Sequence, residues 1–596
     1  MSDISLPVNR ENDTRIVRNL MLRLLPLQIL LAVVGMINSI ISSLFASNWI
    51  GTQAMSAVGL YSPINLLVIS VSCMLVGGSA ILFGTYMGRS QREKVQSVFS
   101  LDMAVSLVTG ALFALILIVM AVNDLTVIFT SDQEVRQIFN SYIIGQAIGI
   151  IPLILGNQMT SFLSLENRTK RSTIASIVFI VLNLIFNLIF VSWLELGAFG
   201  LSLASSLGMW AYFVVQAQYY FTDESELKIT FRNIEWRDMW QIVKIGFPGA
   251  AINIYQTIRG FIVNGLMLTY VGSVGVSAFA ACNTFLGLFW CMPTGMAAVI
   301  RMMLSVSTGE EDRKSTADVT RVVLKVYLPI MAVVSLILII FAEPITQMYY
   351  RDMSDPVYMM TVWGFRLLPI AMPLAVLVNT FVCYGQVTDK LLFLHIISLL
   401  DGVINVCLYT FLLIGTIGMN AVYVANVLNG LTSLLYILIY AVIRNRHVPR
   451  NMDELMVMPQ DFGVPEEDRM DITLTDMDQV VKVSEAVQGF CLKKGADTRR
   501  SYFAGLSLEE MAGNVVTHGF NSDNKKHSID LRVVSKDDDI ILRIRDDCME
   551  FDPLARLDVM DPEDITKNIG IRLIYDTARH VYYQSILGLN VLTIRI

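Results

Sequence analysis

Twelve apolar runs, each about as long as a bilayer is thick, occupy the chain up to about residue 440. They fall near residues 20–46, 57–86, 101–122, 138–164, 171–193, 197–220, 245–270, 276–303, 320–343, 357–384, 391–414 and 417–443. A transmembrane helix needs about 20 mostly apolar residues. The sequence is 54% hydrophobic and only 16% charged, whereas soluble chains carry about 25% charged residues. We therefore predict a polytopic α-helical membrane protein with twelve spans, followed by one soluble domain.

Basic residues predict how these spans are oriented. They precede the first span and follow every second span, and the intervening loops carry few of them. The clusters are Arg10, Arg15 and Arg18; Arg89, Arg92 and Lys94; Arg168, Lys170 and Arg171; Lys228, Arg232 and Arg237; Arg313 and Lys314; Lys390; and Arg444, Arg446 and Arg450. Cytoplasmic loops are enriched in Lys and Arg, so we expect a plasma-membrane protein with both termini in the cytoplasm. The net charge of −7 argues against a nucleic-acid partner.

The chain contains an internal duplication. The stretch NLIFNLIF, which begins at Asn183, returns as DGVINVCL, which begins at Asp401. Each copy carries two polar residues four positions apart, Asn183 and Asn187 in the first and Asp401 and Asn405 in the second. Residues at this spacing share one face of a helix. The pattern predicts buried polar groups on equivalent helices of two repeats.

The duplication extends to the loops that follow the second and eighth spans. The loop GRSQREK at Gly88 resembles the loop GEEDRK at Gly309. We predict two six-helix lobes, at about 15–220 and 240–446, related by an axis along the membrane normal. Transporters built from repeats bind their substrate and coupling ion between the repeats, near the middle of the bilayer.

Residues from about 15 to 445 resemble the multidrug and toxic compound extrusion (MATE) family. The resemblance rests on the spacing of Gly51, Ala57 and Pro63 after the first span, on the glycine-and-charge loop after the second span, and on the repeated asparagine helix. It implies a secondary antiporter that expels amphipathic, often cationic small molecules in exchange for protons or sodium ions.

The family's acidic positions on spans one and five are occupied here by Asn38 and Asn187, and an amide does not titrate near neutral pH. The second repeat instead carries Asp401, with Arg259 at the position that repeats Asn38. Charges in mid-span cost at least about 2.5–3.5 kcal/mol, so we predict that Arg259 and Asp401 form an ion pair that opens or protonates during transport. The predicted transport and coupling residues are Asp401, Arg259, Asn38, Asn183, Asn187 and Asn405.

A polar, proline-containing linker at 447–466 separates the spans from a predicted soluble domain at 467–596. We predict strands at about 470–475, 528–535, 539–546, 580–586 and 589–596, and helices at about 477–494, 498–518 and 570–579. This order predicts a mixed α/β sandwich of about 130 residues, which is large enough for its own core.

Four residues of this domain carry candidate chemistry. Glu510 and Asn514 lie four positions apart on one helix face, where the amide oxygen could hold Mg²⁺ beside phosphates and the carboxylate could act as a general base. Asp546 ends a strand and could accept a hydrogen bond from the amino group of adenine. Gly570 opens a helix, whose first amides could meet a phosphate.

In this order the motifs resemble the histidine-kinase-like ATPase fold, and anti-sigma-factor serine kinases most of all. The resemblance implies that ATP is bound through Mg²⁺ at Asn514 and under a lid near 555–568, and that Glu510 is the catalytic base toward a cytosolic protein partner. Two positions depart from the family pattern, because Cys548 and Asn568 replace glycines.

Three functions remain open at this stage. The first is an ion-coupled exporter with a regulatory ATP-binding domain. The second is a flippase of lipid-linked oligosaccharides, which the lack of a strongly basic cleft disfavours. The third is a membrane receptor with a serine-kinase output. A primary ATP-driven pump is disfavoured, because the sequence contains no G-x-x-x-x-G-K-[ST] loop.

Overall fold

The computed structural model describes residues 14–596 apart from residues 46–48, 51, 130–131, 223–224, 226, 229, 231–233, 351, 521–526, 537, 550–551 and 554–568. The helices of the first part are α1 (Arg15–Phe45), α2 (Thr52–Gly88), α3 (Arg92–Val122), α4 (Gln133–Leu165), α5 (Thr169–Asn187), α6 (Gly197–Tyr220), α7 (Arg237–Tyr270), α8 (Ser273–Gly309), α9 (Arg313–Val322), α10 (Leu328–Ile340), α11 (Ala342–Tyr349), α12 (Pro356–Leu367), α13 (Ala371–Val387), α14 (Leu391–Leu399), α15 (Asn405–Ile417) and α16 (Asn420–Asn445).

Several of these helices join into continuous spans. π-Helical turns extend α5, join α9 to α10 and join α14 to α15, and a 3₁₀ turn joins α12 to α13. These turns lie at Leu188–Trp193, Val323–Tyr327, Leu400–Ile404 and Leu368–Ile370. Within the described residues this gives twelve long segments, and eleven of them are long and apolar enough to cross a membrane. The twelfth, α7, is 34 residues long and carries Gln256 and Arg259 in its middle.

The two repeats share backbone details as well as residues. Ser90, in the loop after α2, has a φ of 56°, and Glu311, in the loop after α8, has a φ of 54°. This left-handed conformation is uncommon for residues other than glycine. Its occurrence at positions 221 residues apart supports the predicted two-lobe architecture.

Glycines bring the two lobes into close contact at one end of the bundle. A Cβ atom at Gly246 of α7 would overlap the carbonyl oxygen of Met74 in α2, and one at Gly309 of α8 would overlap the carbonyl oxygen of Thr85 in α2. Gly260 lies on about the same face of α7 as Gly246, but a Cβ there would meet nothing within 4 Å. The lobes therefore touch at the end where α2 and α8 terminate, whereas Gly260 faces open space.

A second domain covers the end where the lobes touch. Its sheet has the strand order β1-β2-β3-β5-β4, and all neighbouring strands pair antiparallel. The strands are β1 (Arg469–Leu474), β2 (Ile529–Lys536), β3 (Asp539–Asp546), β4 (His580–Ile586) and β5 (Leu589–Arg595), and the helices are α18 (Met477–Lys493), α19 (Thr498–Asn514) and α20 (Ile569–Thr577). This confirms the predicted α/β fold.

The two faces of this sheet differ in chemistry, because side chains alternate along a strand. Leu531, Leu542 and Ile594 point to one face and form a buried core with α18, α19 and α20. Arg532 and Arg543 point to the other face, which lies against the helical bundle. One face thus holds the domain together, and the other is free to contact the lobes.

The segment between the two parts is packed against the second lobe. It contains the short helix α17 (Met452–Leu455). Arg313 at the start of α9 donates to the Asp453 carboxylate at 2.7 Å. Lys390 donates to the carbonyl oxygens of Met456 and Val457 at 2.9 and 2.8 Å. The predicted polar linker is therefore held in place by hydrogen bonds from two loops of the second lobe, the one before α9 and the one before α14.

The close approach of α2 and α7 predicts the effect of a single methyl group. Gly246→Ala should destabilise the protein by about 1–3 kcal/mol, because the methyl group forces the two helices apart. Gly260→Ala is the matched control and should stabilise α7 by up to about 1 kcal/mol through helix propensity. Thermal melting of the detergent-solubilised chain measures both variants. Equal melting temperatures for the two variants would contradict the described contact.

Candidate functional site

Asp401 lies in the π-helical turn between α14 and α15 and faces α16. Its carboxylate accepts hydrogen bonds from the Asn429 amide at 2.9 Å and from the Ser433 hydroxyl at 3.4 Å. Asn429 in turn accepts from Asn405 at 3.0 Å. Asn405 and Asn429 are buried, and Asp401 is half-buried. The predicted residues Asp401 and Asn405 therefore belong to one polar network. The π-helical turn fits a functional role, because such turns are rare and occur often at functional sites.

The first lobe contains the equivalent network without an acid. Asn187 donates to the side-chain oxygen of Asn183 at 2.9 Å, and Asn183 donates to Ser205 of α6 at 3.2 Å. Both asparagines are fully buried. The side-chain oxygen of Asn187 accepts no hydrogen bond from any described residue. Asn38 was predicted to join this site, and its side chain lies outside the described residues.

Arg259 does not form the predicted ion pair with Asp401. The described contacts include no Arg259–Asp401 approach within 4 Å, although the two charges interact electrostatically. The turn of Asp401 does pack on α7, because Gly402 lies against the Tyr255 side chain. Arg259 follows Tyr255 by one helical turn. In this conformation Asp401 is held by neutral donors of α16, which satisfy the carboxylate in place of the arginine.

A second buried acid was missed in the sequence analysis. Asp102 of α3 is 1% exposed, and neither of its carboxylate oxygens has a hydrogen-bond partner among the described residues. Ser79 of α2 lies beside it. The signal was present in the sequence as an acid in the apolar stretch SLDMAVSLV. It was overlooked because it lies next to the predicted start of the third span.

In the second domain, Glu510 and Gly570 meet where α19 contacts α20. A Cβ atom at Gly570 would overlap the Glu510 carboxylate, so a larger residue at this position would displace the Glu510 side chain. Asn514, one turn after Glu510, is half-buried, and its side chain makes no hydrogen bond with the described part of the chain. The two side chains lie on one face of α19, as predicted, and Asn514 could ligate Mg²⁺.

Asp546 lies at the end of β3 on the face that carries the helices. One carboxylate oxygen accepts from the Asn590 amide at 2.8 Å and from the Cys548 backbone amide at 3.0 Å. Burial raises the pKa of the Asp546 carboxyl, and these hydrogen bonds lower it in part. The second oxygen could accept a hydrogen bond from an adenine amino group, as predicted.

Cys548 replaces the family's glycine and occupies the space beside the end of α19. A Cβ atom at Gly519 would lie 3.0 Å from its sulfur atom. Next to it, His527 lies 2.9 Å from the Asp547 carboxylate. The thiol thus contacts the segment that follows Asn514. The predicted lid at 555–568 and the second departure, Asn568, lie outside the described residues.

The fold and the site define a two-lobed helical membrane protein that carries an ATPase-like domain. Residues 29–189 and 248–408 each match the family model described as MatE. Residues 472–596 match the model described as histidine kinase-like ATPase domain. The two MatE matches cover more than half of the chain, and the chain belongs to the MatE family.

Two curated relatives are multidrug resistance proteins by name. The probable multidrug resistance protein NorM of Bacillus licheniformis is 22% identical over 233 residues, which is 37% of this chain and 50% of that protein. The probable multidrug resistance protein YoeA of Bacillus subtilis is 21% identical over 377 residues, or 61% of this chain and 81% of that protein. The chain spans about half the length of the first of these relatives.

Solved structures share the fold of the helical part. A multidrug resistance MATE family transporter of the MOP superfamily, solved in an outward-facing conformation, superimposes with a TM-score of 0.67 at 18% identity. The alignment covers 74% of this chain and 97% of that chain. This likeness confirms the predicted two-lobe helical fold.

The position of Asp546 predicts a test of the ATPase-like site. Asp546→Asn should weaken ATP binding about 10- to 100-fold, because a hydrogen bond to a charged group contributes about 1.5–3 kcal/mol. Asp478→Asn on the exposed face of α18 is the matched control and should leave affinity unchanged. Equilibrium binding of a fluorescent ATP analogue to the purified full chain measures both. Unchanged affinity in Asp546→Asn would rule out this binding mode.

Proposed function

We propose that this protein is a secondary active antiporter that exports amphipathic, cationic small molecules in exchange for protons or sodium ions. Membership of the MatE family supports this proposal, as do the multidrug resistance names of its relatives. The basic loops support a cytoplasmic location for both termini and for the ATPase-like domain. The lobes would then be closed toward the cytoplasm in this structure.

The observation that carries the proposal is the polar network around Asp401. A carboxylate within a membrane-spanning helix is costly, and such residues typically mark ion pathways. The neutral donors Asn429 and Ser433 hold it without neutralising its charge. The site can therefore exchange a proton or a sodium ion without first breaking an ion pair. Arg259 would approach Asp401 in another conformation of the lobes, where its charge would expel the coupling ion.

Asp102 offers a second ion site, in the first lobe. Burying an unpaired carboxylate in apolar surroundings is costly unless the group takes up a proton. Asp102 accepts no hydrogen bond of good geometry from the described residues, although Ser79 lies beside it, and the acids of the family positions in this lobe are replaced by Asn38 and Asn187. We propose that Asp102 carries a proton in the closed state and that the amide network of the first lobe contacts the substrate.

We propose that the cytosolic domain binds ATP and Mg²⁺ and regulates transport. Asn514, Asp546 and Gly570 would hold the nucleotide, with Asn514 as the magnesium ligand. The match of residues 472–596 to the histidine kinase-like ATPase model supports this, as does the tight packing of Gly570 on Glu510. Glu510 as the base of a serine kinase that acts on a cytosolic partner, in the manner of anti-sigma factors, stays a prediction.

The coupling role of Asp401 predicts the outcome of its neutralisation. Asp401→Asn should reduce gradient-driven uptake of a fluorescent cation into inverted vesicles to background, because the amide keeps the hydrogen bonds and loses the titratable charge. Asp389→Asn, in the exposed loop after α13, is the control, because it also removes one carboxylate charge. Imposed proton and sodium gradients, tested separately, identify the coupling ion. Undiminished uptake in Asp401→Asn would exclude the coupling role.

The proposed proton site predicts a separable effect. Asp102→Asn should retain substrate binding, because the isosteric amide fills the same volume, but should reduce proton-driven uptake and flatten its pH dependence. Substrate binding to the purified protein and uptake across a range of pH values distinguish the two. If Asp102 were only structural, Asp102→Asn would keep the wild-type pH profile.

A flippase or receptor function would give other results in the same vesicles. A flippase would move a fluorescent lipid-linked oligosaccharide without an imposed ion gradient. A receptor would show no counterflow of the cation, and Glu510→Gln would abolish phosphorylation of its partner. Cation counterflow that depends on Asp401 separates the exporter from both alternatives.

A further inference from the structure

The outer face of the five-stranded sheet forms a buried ion-pair cluster with the loop after α8. Arg545 of β3 contacts the Glu310 carboxylate at 2.9 Å and the Asp312 carboxylate at 3.2 Å. Arg532 of β2 contacts Asp312 at 3.2 Å, and Arg543 lies 3.8 Å from Glu310. Glu310 and Asp312 are both less than 10% exposed. Removing one partner of a buried pair leaves an unpaired charge, which is strongly unfavourable.

This cluster is tied to the start of a membrane helix. Asp312 is the N-cap of α9, and its carboxylate also accepts from the Ser315 amide at 3.0 Å. The sheet therefore holds the first turn of a lobe-two span through the residue that caps it. Lys536 adds an exposed pair with Glu311 at 2.9 Å.

The same sheet also contacts the first lobe. Arg543 donates to the carbonyl oxygen of Gly88 at 3.4 Å, and Gln584 of β4 donates to that of Met87 at 3.0 Å. Both acceptors lie at the end of α2, and Gly88 packs directly on Glu310. Arg543 thus lies against the loops of both lobes.

The hairpin between β4 and β5 reaches further between the lobes. Leu587 and Gly588 form its tip with φ values of 55° and 92°. The Leu587 amide donates to the carbonyl oxygen of Leu165 at the end of α4 at 3.1 Å. Arg23 of α1 donates to the Gly588 carbonyl oxygen at 3.5 Å. Leu587 is 2% exposed and lines one cavity together with Met303 of α8, so the tip contacts the first lobe and borders a cavity that the second lobe also lines.

The acids that bind the sheet occur in one repeat only. The loop after α8 carries Glu310, Glu311 and Asp312, whereas the corresponding loop after α2 carries Arg89, Ser90 and Gln91. The two loops otherwise share their backbone conformation. The acidic residues of the loop after α8 therefore complement the basic face of the sheet. They are not needed for the fold of the loop, because the loop after α2 has the same fold without them.

We propose that the sheet face and the β4–β5 tip act as a latch that holds the two lobes closed at the cytoplasmic end, so that the ATPase-like domain must undock before this end opens. The loops of α2 and α8 can both reach Arg543 only while the lobes touch. This inference rests on the cytoplasmic orientation in the proposed function and specifies how the domain regulates transport. It does not depend on the substrate or on the coupling ion.

Distance measurements between the lobes test the latch. Spin labels at Lys170→Cys in lobe one and Arg444→Cys in lobe two report the separation by double electron–electron resonance in lipid nanodiscs. The full chain is used, and the cysteines that are not buried, Cys73, Cys407 and Cys548, are replaced by serine. We expect one short distance in the parent protein and a shift of the population to a longer distance in Arg545→Glu.

A charge swap and two single variants complete the design. Glu310→Arg changes the loop after α8 and leaves the sequence of the ATPase-like domain as it is. It breaks the same ion pair, so it should give the same longer distance. Combined with Arg545→Glu, it should restore the short distance. Arg499→Glu at the exposed start of α19 is the matched control and should keep the parent distance. The latch is refuted if Arg545→Glu and Glu310→Arg keep the parent distance, or if Arg499→Glu lengthens it equally.

This experiment separates the latch from the proposed function. The distances are measured without substrate or an ion gradient, so they are informative whether or not the protein exports cations. Uptake assays on the same variants then report transport independently. A chain that shows no uptake but responds to Arg545→Glu would retain the latch and lose the exporter assignment.

Discussion

Lipid offers no hydrogen bond to a polar group inside the helical bundle, so a partner within the protein is what stabilises such a group. The Asp401 carboxylate finds its partners in Asn429 and Ser433, and the amide groups of Asn187 and Asn183 donate to Asn183 and Ser205. These networks connect α15 to α16 and α5 to α6 at equivalent places in the two lobes. The duplication thus provides two polar centres, and only one of them is charged.

Close helix packing is the second requirement, and glycine meets it where the lobes touch. In a membrane, helix association depends on packing between small residues. Gly246 and Gly309 let α7 and α8 approach the backbone of α2, and this closes one end of the bundle. The soluble domain lies over this closed end, so its contacts depend on the conformation of the lobes beneath it.

Local sequence patterns predicted the helices, the strands and the shared helix faces of this structure. They did not predict which residues distant in the sequence contact each other. All five strands lie within a residue or two of their predicted bounds, because alternation in stretches such as ILRIRD reports the two faces of a sheet. The shared helix faces of Asp401 and Asn405 and of Glu510 and Asn514 follow from their spacing. The Arg259–Asp401 pair was wrong for this conformation, because Asn429, 28 residues along the chain, competes for the carboxylate. The partners of Arg543 and Arg545 in the loop after α8 lie more than 200 residues away, and no periodicity reports them.

Neighbouring residues of β3 belong to different sites, since alternation turns Arg545 toward the helical bundle and Asp546 toward the ATPase-like cleft. Asn590, which binds Asp546, follows the hairpin tip by only two residues. One short piece of sheet is therefore common to the proposed nucleotide site and the lobe contacts. By thermodynamic reciprocity, any free energy that a bound ligand adds to docking is returned as tighter ligand binding in the docked state. Ligand affinity in the cleft would then differ between the docked and undocked states, and so would depend on whether the lobes are closed, even if no ATP is hydrolysed.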